Sequence, residues 1–254
     1  MRVGFAGSGN MAAAMARGWA SADRGPETML FTDLDADRAT ALAGEVGGEA
    51  VASTAELAER CHLLVLAVKP GALAEVAGEA QAAPAVLSLL GATSLGKVMD
   101  AFPGSPVFRV MPNQPVEVHR GVLCFCAGDD VPAELERDVR ALLEQLGRLV
   151  ELDDELFDAA TALSGCAPAY MALVVEELAA AGAADGLDAD LALSLMVDTA
   201  AGTAELLRHR DPGSVRAAVA SPGGSTEAGL EALQHHAAGA FEKAVVASLE
   251  RMRG

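Results

Sequence analysis

Short apolar runs alternate with segments of helical period over the first half of the chain, and the second half is helical throughout. Val3-Gly4-Phe5-Ala6 and Met29-Leu30-Phe31-Thr32 have the length and composition of buried strands. Between them the chain passes a glycine turn and a predicted helix from about Met11 to Ser21. A second helix carries Arg38, Leu42 and Val46 on successive turns. The run Leu63 to Val68 is apolar without interruption, as a strand covered on both faces should be. Ala85 to Leu89, Val107 to Val110, Val122 to Cys126 and Leu149 to Leu152 complete the strand set. Strands separated by helices imply parallel pairing and a doubly wound α/β sheet.

Beyond about Asp153 the alternation ends. Pro168 suits the first turn of a helix running through Ala184, and Gly186 closes it. Asp188 caps a helix from Ala189 to about Leu207, and Asp211-Pro212 opens a shorter one. After the turn Ser221 to Thr226, a helical tail runs to Met252. The pattern therefore predicts two domains: residues 1–152 as a doubly wound α/β domain and residues 153–254 as an all-α domain. Alanine fills many apolar positions of these helices, so they bury more than one face. A lone domain of about 100 residues leaves part of such surface wet. Helices from two chains packing together, a homo-oligomer, is the expected remedy.

Composition narrows the class. The chain of 254 residues is 52% hydrophobic, unlike a disordered chain, and with only 4% aromatic residues it suits an α/β or all-α protein with close helix packing. Its formal net charge of −18 opposes nucleic acid and anionic membranes, so neither is an expected partner. No stretch reads as the ~18 or more apolar residues that a bilayer span requires, and the apolar run Phe5 to Ala20 lacks a cleavage site. Cys61, Cys124, Cys126 and Cys166 form no CxxC pair and read as reduced, structural residues of a cytoplasmic protein. His62, His119, His209, His235 and His236 show no triad or metal spacing, and no metal site is expected.

The first chemical motif is Gly7-x-Gly9-x-x-Ala12, placed between a predicted strand and a predicted helix. That context is the one a dinucleotide fingerprint requires. Gly7 permits the tight turn, Gly9 lets the backbone approach a pyrophosphate, and Ala12 lets helix and strand pack closely. The phosphates then meet unpaired N–H groups at the helix start. Asp33 ends the second strand, about twenty residues on, where an acid accepts hydrogen bonds from the adenosine ribose and repels a 2′-phosphate. Asp33 therefore favours NADH over NADPH. Arg38, able to swing toward a phosphate, keeps NADPH open.

With Leu66-Ala67-Val68-Lys69-Pro70, Val110-Met111-Pro112-Asn113, Thr161 to Gly165, Pro168-Ala169-Tyr170 and Ser221 to Thr226, the chain resembles the pyrroline-5-carboxylate reductase family over nearly its whole length. The resemblance implies a Rossmann domain followed by a helical dimerisation domain. It implies NAD(P)H-dependent reduction of a cyclic imine, 1-pyrroline-5-carboxylate, to L-proline, the last step of proline biosynthesis. It also implies homodimers through the C-terminal helices, often assembled into decamers. Gly7, Ser8, Gly9, Asn10 and Met11, together with Ala67, Val68, Lys69 and Pro70, would line the cofactor. Thr54 would meet its adenosine end, and Asn113 with Pro115 would border the nicotinamide. The substrate carboxylate would sit in the loop Ser221, Gly223, Gly224, Ser225 and Thr226, with the N–H groups of residues 223–225 as an anion nest. Thr226 would lie at the ring nitrogen as a hydrogen-bond partner and proton relay, the one catalytic assignment. Without the resemblance, the same loop reads as a helix-linking turn with Thr226 as its cap.

Three departures from the family pattern stand out. Thr32-Asp33-Leu34-Asp35 replaces a polar or basic stretch, and Ser164-Gly165-Cys166-Ala167-Pro168 carries a methyl at Ala167 where the family has glycine. Ala217 and Ala220 stand where the family tends to carry an acid and a hydroxyl. These motivate two competing readings, a reductase of another cyclic imine and a dinucleotide-sensing protein without turnover.

Overall fold

The computed structural model describes residues 1–253. Gly254 and the side chains of His236 and Arg253, and with them the reading of His236, lie outside the described residues. The chain divides into two compact units, residues 1–166 with the end of the last helix from residue 251, and residues 167–250.

In the first unit the elements run β1 (Arg2–Ala6), α1 (Asn10–Ala20), β2 (Thr28–Thr32), α2 (Ala36–Val46), β3 (Glu49–Ala50), α3 (Thr54–Arg60), β4 (Leu63–Leu66), α4 (Leu73–Glu79), β5 (Val86–Ser88), α5 (Leu95–Ala101), β6 (Val107–Met111), β7 (Gly121–Ala127), α6 (Ala133–Leu143) and β8 (Gly147–Glu151). The strands form one sheet in the order β3-β2-β1-β4-β5-β6-β7-β8. The order reverses between β1 and β4, and such a reversal opens a crevice beyond the carboxyl ends of those strands. Successive residues of the central strands feed two cores on opposite faces. Phe5, Phe31, Val65 and Phe108 join Trp19 and Leu142 on one face. Leu64, Leu66 and Val86 join Leu57 and Phe102 on the other. Phe5 and Phe31 stack at 5.1 Å, and the Trp19 indole N–H donates to the Leu142 carbonyl at 2.9 Å, so the largest core residue leaves no polar atom unpaired. The alternation explains why the strands read as continuous apolar runs.

Two features differ from the sequence reading. β6 and β7 pair antiparallel, with Met111 opposite Cys124 and Phe108 opposite Ala127, while the other pairings are parallel. The connection spans residues 112–120 and holds only the 3₁₀ turn Gln114–Val118. A parallel crossover takes about a dozen residues or more, so this one turns back. The short edge strand β3 went unseen, because two residues carry no periodicity.

The segment after β8 continues through α7 (Phe157–Ala160) into a π-helical turn, Thr161–Gly165. The second unit holds α8 (Ala167–Ala184), α9 (Ala189–Leu206), α10 (Pro212–Val219), α11 (Ser225–Ala237) and most of α12 (Ala240–Arg253). The Asp188 side chain accepts from the Leu191 N–H and that of Asp211 from the Ser214 N–H, as caps should. The expected single tail helix is two, divided near Gly239, whose φ of +74° only glycine adopts without strain. Among the described residues of this unit the buried apolar ones are Ala179 and Ala192. Met171, Leu191, Leu195, Leu233 and Phe241 are each at least half exposed. The helical run Asp154–Ala184 is 31 residues long and contains an 18-residue window with a mean hydropathy of 1.3. By length and composition it is long and apolar enough to cross a membrane, which corrects the sequence reading. Scattered hydroxyls and glycines interrupt its apolar run without lowering the mean enough.

Candidate functional site

The cradle is built by the turn between β1 and α1. Gly7 sits at φ +98°, and its N–H donates to the Thr32 carbonyl at 2.8 Å. A Cβ at this position would stand 2.6 Å from the Ala67 carbonyl oxygen, so the turn packs backbone to backbone against the end of β4. Ala67 in turn donates its N–H to the Ala6 carbonyl at 2.8 Å, which fixes the two strand ends side by side at the reversal. Gly9 is the N-cap of α1 and supplies no side-chain acceptor. The first turn of α1 contains no acid, so its outward N–H groups, with Asn10 exposed and Met11 half-buried around them, are left for an anion.

Asp33 lies beside this turn. Its Oδ2 accepts the Ser8 N–H at 2.6 Å and its Oδ1 accepts the Asp35 N–H at 3.1 Å. The carboxylate thus ties the glycine turn to the end of β2 and keeps lone pairs for further donors. Arg38, on α2, reaches the Ser8 carbonyl with Nη2 at 3.4 Å and stands 3.7 Å from where a Gly9 Cβ would be. The Ser8 hydroxyl is buried without a partner. Such an orphan is costly unless a ligand or water completes it, so the residues fit a phosphate-bearing cofactor. Leu34, next to Asp33, is 98% exposed. The sequence reading passed over it, and an apolar residue in a solvated βα loop was the available signal.

The other cofactor candidates are distributed around the same sheet edge. Val68 is half-buried after β4, and Lys69 and Pro70 are exposed, with Lys69 capping the 3₁₀ turn Pro70–Ala72. Thr54 opens α3, whose cap is Ser53. Asn113, 7% exposed, is held at both ends of its amide: Nδ2 donates to the Ser164 carbonyl at 3.1 Å and Oδ1 accepts the Val122 N–H at 2.8 Å. It fastens the π turn to the sheet. Cys124 lies 4.0 Å from the Ser164 hydroxyl. Burial raises the thiol pKa of Cys124, and burial followed by the Asp154 carboxylate pushes Cys126 up to about 12. Burial pushes Cys61 up to about 11. These thiols stay protonated at neutral pH and are poor nucleophiles. All four cysteines are free. Among the described residues no cluster of His, Cys, Asp and Glu suits a metal.

Arg109, to which no role was expected from the chain pattern, is the ionic anchor of this unit. It is 3% exposed on β6, pairs through Nη1 with Asp154 Oδ1 at 2.6 Å, and lies 4.4 Å over the Phe157 ring. Asp154 Oδ2 also accepts the Leu95 N–H at 3.0 Å. A cavity of about 780 Å³ borders Asp154, Cys126 and Arg140. Arg140 is matched there by Glu136 at 2.7 Å and Glu151 at 2.8 Å.

In the second unit, the candidate substrate residues form the start of α11. Gly224 is its N-cap, so Thr226 is the second helical residue and not a cap. Gly223 has φ +71°. Its N–H donates to Glu227 Oε2 at 2.6 Å, and the Gly224 N–H donates to the Ser221 carbonyl at 2.9 Å. Ser221, Ser225 and Thr226 are exposed. Two of the three N–H groups expected to face a ligand therefore have partners within the loop. A glutamate in third helical position signals a side chain that reaches back over the helix start, and here it takes the N–H one residue before the N-cap. Ala167 opens α8, Ala217 lies in α10, and Ala220 closes α10 in an extended conformation.

Comparison with known proteins gives a consistent picture. The family model described as pyrroline-5-carboxylate reductase dimerisation matches residues 154–254, and that described as NADP oxidoreductase, coenzyme F420-dependent, matches residues 2–90. A pyrroline-5-carboxylate reductase of Synechocystis sp. is 34% identical over 241 residues, 92% of this chain and 90% of the relative. The crystal structure of the Plasmodium falciparum pyrroline carboxylate reductase with NADP bound is 27% identical with a TM-score of 0.88, covering 100% of this chain and 97% of that one. The 1-pyrroline-5-carboxylate reductase of Streptococcus pyogenes is 26% identical with a TM-score of 0.90, covering 100% and 98%.

Proposed function

The chain belongs to the pyrroline-5-carboxylate reductase family, and from that premise we propose that it reduces 1-pyrroline-5-carboxylate to L-proline with a nicotinamide dinucleotide. The observation that carries the reading is the positive-φ Gly7 turn pressed on the Ala67 carbonyl at the strand-order reversal, with the buried, unpartnered Ser8 hydroxyl beside it. A nicotinamide dinucleotide held there would supply the hydride that reduces the carbon of the protonated C=N bond, the π pair of that bond becoming the nitrogen lone pair of the ring amine. The imine is already electrophilic, so the residues mainly hold and orient. Gly9, Asn10 and Met11 give the pyrophosphate backbone N–H groups, while Gly7 and Ser8, whose N–H groups are held by Thr32 and Asp33, shape the turn and offer the Ser8 hydroxyl. Ala67, Val68, Lys69 and Pro70 border the cofactor, Thr54 faces its adenosine end, and Leu34 offers the adenine an apolar surface. Asn113 shapes the nicotinamide side by fixing the π turn. Ser221, Gly223 and Ser225 grip the substrate, Gly224 shapes the turn that joins them, and Thr226 hydrogen-bonds the ring nitrogen. This division of labour supports a functional boundary at residues 152/153, next to the start of the matched dimerisation segment.

Asp33 selects NADH by accepting from the ribose hydroxyls, while Arg38 retains some use of NADPH. Replacing Asp33 by Ser is expected to shift the NADPH-to-NADH ratio of kcat/KM upward by about tenfold, the scale of one charge-assisted hydrogen bond. Steady-state rates with both cofactors measure it, and an unchanged ratio removes the ribose assignment. Replacing Thr226 by Ala is expected to lower kcat about tenfold with cofactor affinity preserved. Wild-type turnover in that variant would clear the hydroxyl of a role.

The apolar side chains exposed on α8, α9 and α11 support a homodimer through the C-terminal helices, with a decamer as the larger assembly to look for by light scattering. Four free thiols support a cytoplasmic protein. The deciding assay follows oxidation of NADH and NADPH with racemic 1-pyrroline-5-carboxylate and with its six-membered homologue. Oxidation with neither defeats the proposal. Preference for the larger ring favours the second reading, for which Ala167, Ala217 and Ala220 are the motive.

A further inference from the structure

We infer that Glu227 sets which imines the loop at the start of α11 accepts, by occupying with its own carboxylate the Gly223 N–H that a substrate carboxylate would use. The inference rests on the proposed role of that loop. Gly223, at φ +71°, points its N–H back toward the helix start, where Glu227 Oε2 takes it at 2.6 Å. Glu227 is the third residue of α11, so its side chain reaches back over the first turn. Gly224 gives its N–H to the Ser221 carbonyl at 2.9 Å and offers no replacement donor. The Gly223 N–H and the start of α11, where Glu227 lies in the first turn, hold its negative charge in place.

A substrate carboxylate that takes the Gly223 N–H must displace the Glu227 carboxylate, and one held by the Ser225 N–H still sits close to it. An imine ring without a carboxylate meets neither obstacle. The loop therefore discriminates against the carboxylated imine relative to a loop with a neutral residue at 227. Glutamine keeps an acceptor for the Gly223 N–H and the length of the side chain, and removes only the charge.

The test compares initial rates of the wild-type chain and E227Q with 1-pyrroline-5-carboxylate and with 1-pyrroline, which keeps the C=N bond and lacks the carboxylate. The ratio of kcat/KM for the first imine over the second is expected to rise about tenfold in E227Q, carried by KM, as removal of one partly screened like-charge contact predicts. The rise should shrink as salt is raised to about 0.5 M. Calorimetry with the products L-proline and pyrrolidine, in the presence of oxidised cofactor, should show the same change in relative affinity. A ratio unchanged by the substitution, or both imines gaining equally, overturns the inference while leaving the functional reading intact. A wild-type chain that turns over neither imine overturns the reading, and the inference falls with it.

Discussion

Replacing Gly7 by Val is expected to weaken binding of both NADH and NADPH by about a hundredfold or more, as loss of two charge-assisted N–H bonds to a pyrophosphate implies. Two independent observations produce this magnitude. The φ of +98° is closed to a β-branched residue, and the position of the new Cβ, 2.6 Å from the Ala67 oxygen, is occupied by backbone. Neither obstacle yields to a rotamer change, so the turn itself must move. It is joined to Asp33 through the Ser8 N–H and to Thr32 through its own, and movement breaks both bonds. Fluorescence titration of the reduced cofactors measures the effect. Gly44→Ala serves as control, since a Cβ there meets nothing within 4 Å. Binding within threefold of wild type in the Gly7 variant would mean that the turn is not the cradle.

The second large effect concerns stability. Replacing Asp154 by Ala is expected to destabilise the chain by about 3–5 kcal/mol, the usual cost of leaving a buried charge without its partner. Arg109 is 3% exposed, and its Nε already lacks an acceptor. Loss of the 2.6 Å bond to Asp154 Oδ1 would leave the guanidinium chiefly with the face of Phe157, and the Leu95 N–H would lose its acceptor too. The melting temperature should fall by about 10 °C for a unit of this size. The double variant Arg109→Leu with Asp154→Ala should recover part of the loss, because no buried charge then remains. A single variant melting within about 2 °C of wild type would show that the pair is solvated and energetically minor.

These two cases mark where sequence reading works and where it stops. The Gly7 turn was legible because its cause is local: a strand, two glycines and a helix within a few residues allow few other conformations. Caps at Asp188 and Asp211 were legible for the same reason, each acting three residues along the chain. Arg109 was not, since its partner lies 45 residues away and only the packing of β6 against the start of the C-terminal segment brings them together. Asn113 is intermediate. Its motif was recognisable, yet the contacts that use up much of its amide, to Val122 and Ser164, come from the return of β7 and from the π turn. Glu227 was overlooked although its signal was present, because a glutamate on an acidic chain's helix reads first as solvated surface.

The amino-acid sequence alone determined the α/β-then-α order, the two-sided burial of the central strands, the glycine turn between β1 and α1 and the family to which the chain belongs. These follow from periodicity and from short motifs whose physics acts between neighbours. Tertiary structure alone decided the antiparallel return of β7, the Arg109–Asp154 anchor, the double duty of Asp33 toward Ser8 and Asp35, and the capture of the Gly223 N–H by Glu227. Each of these depends on which donors remain unpaired once strands and helices are packed, and that is settled by folding in three dimensions rather than by spacing along the chain.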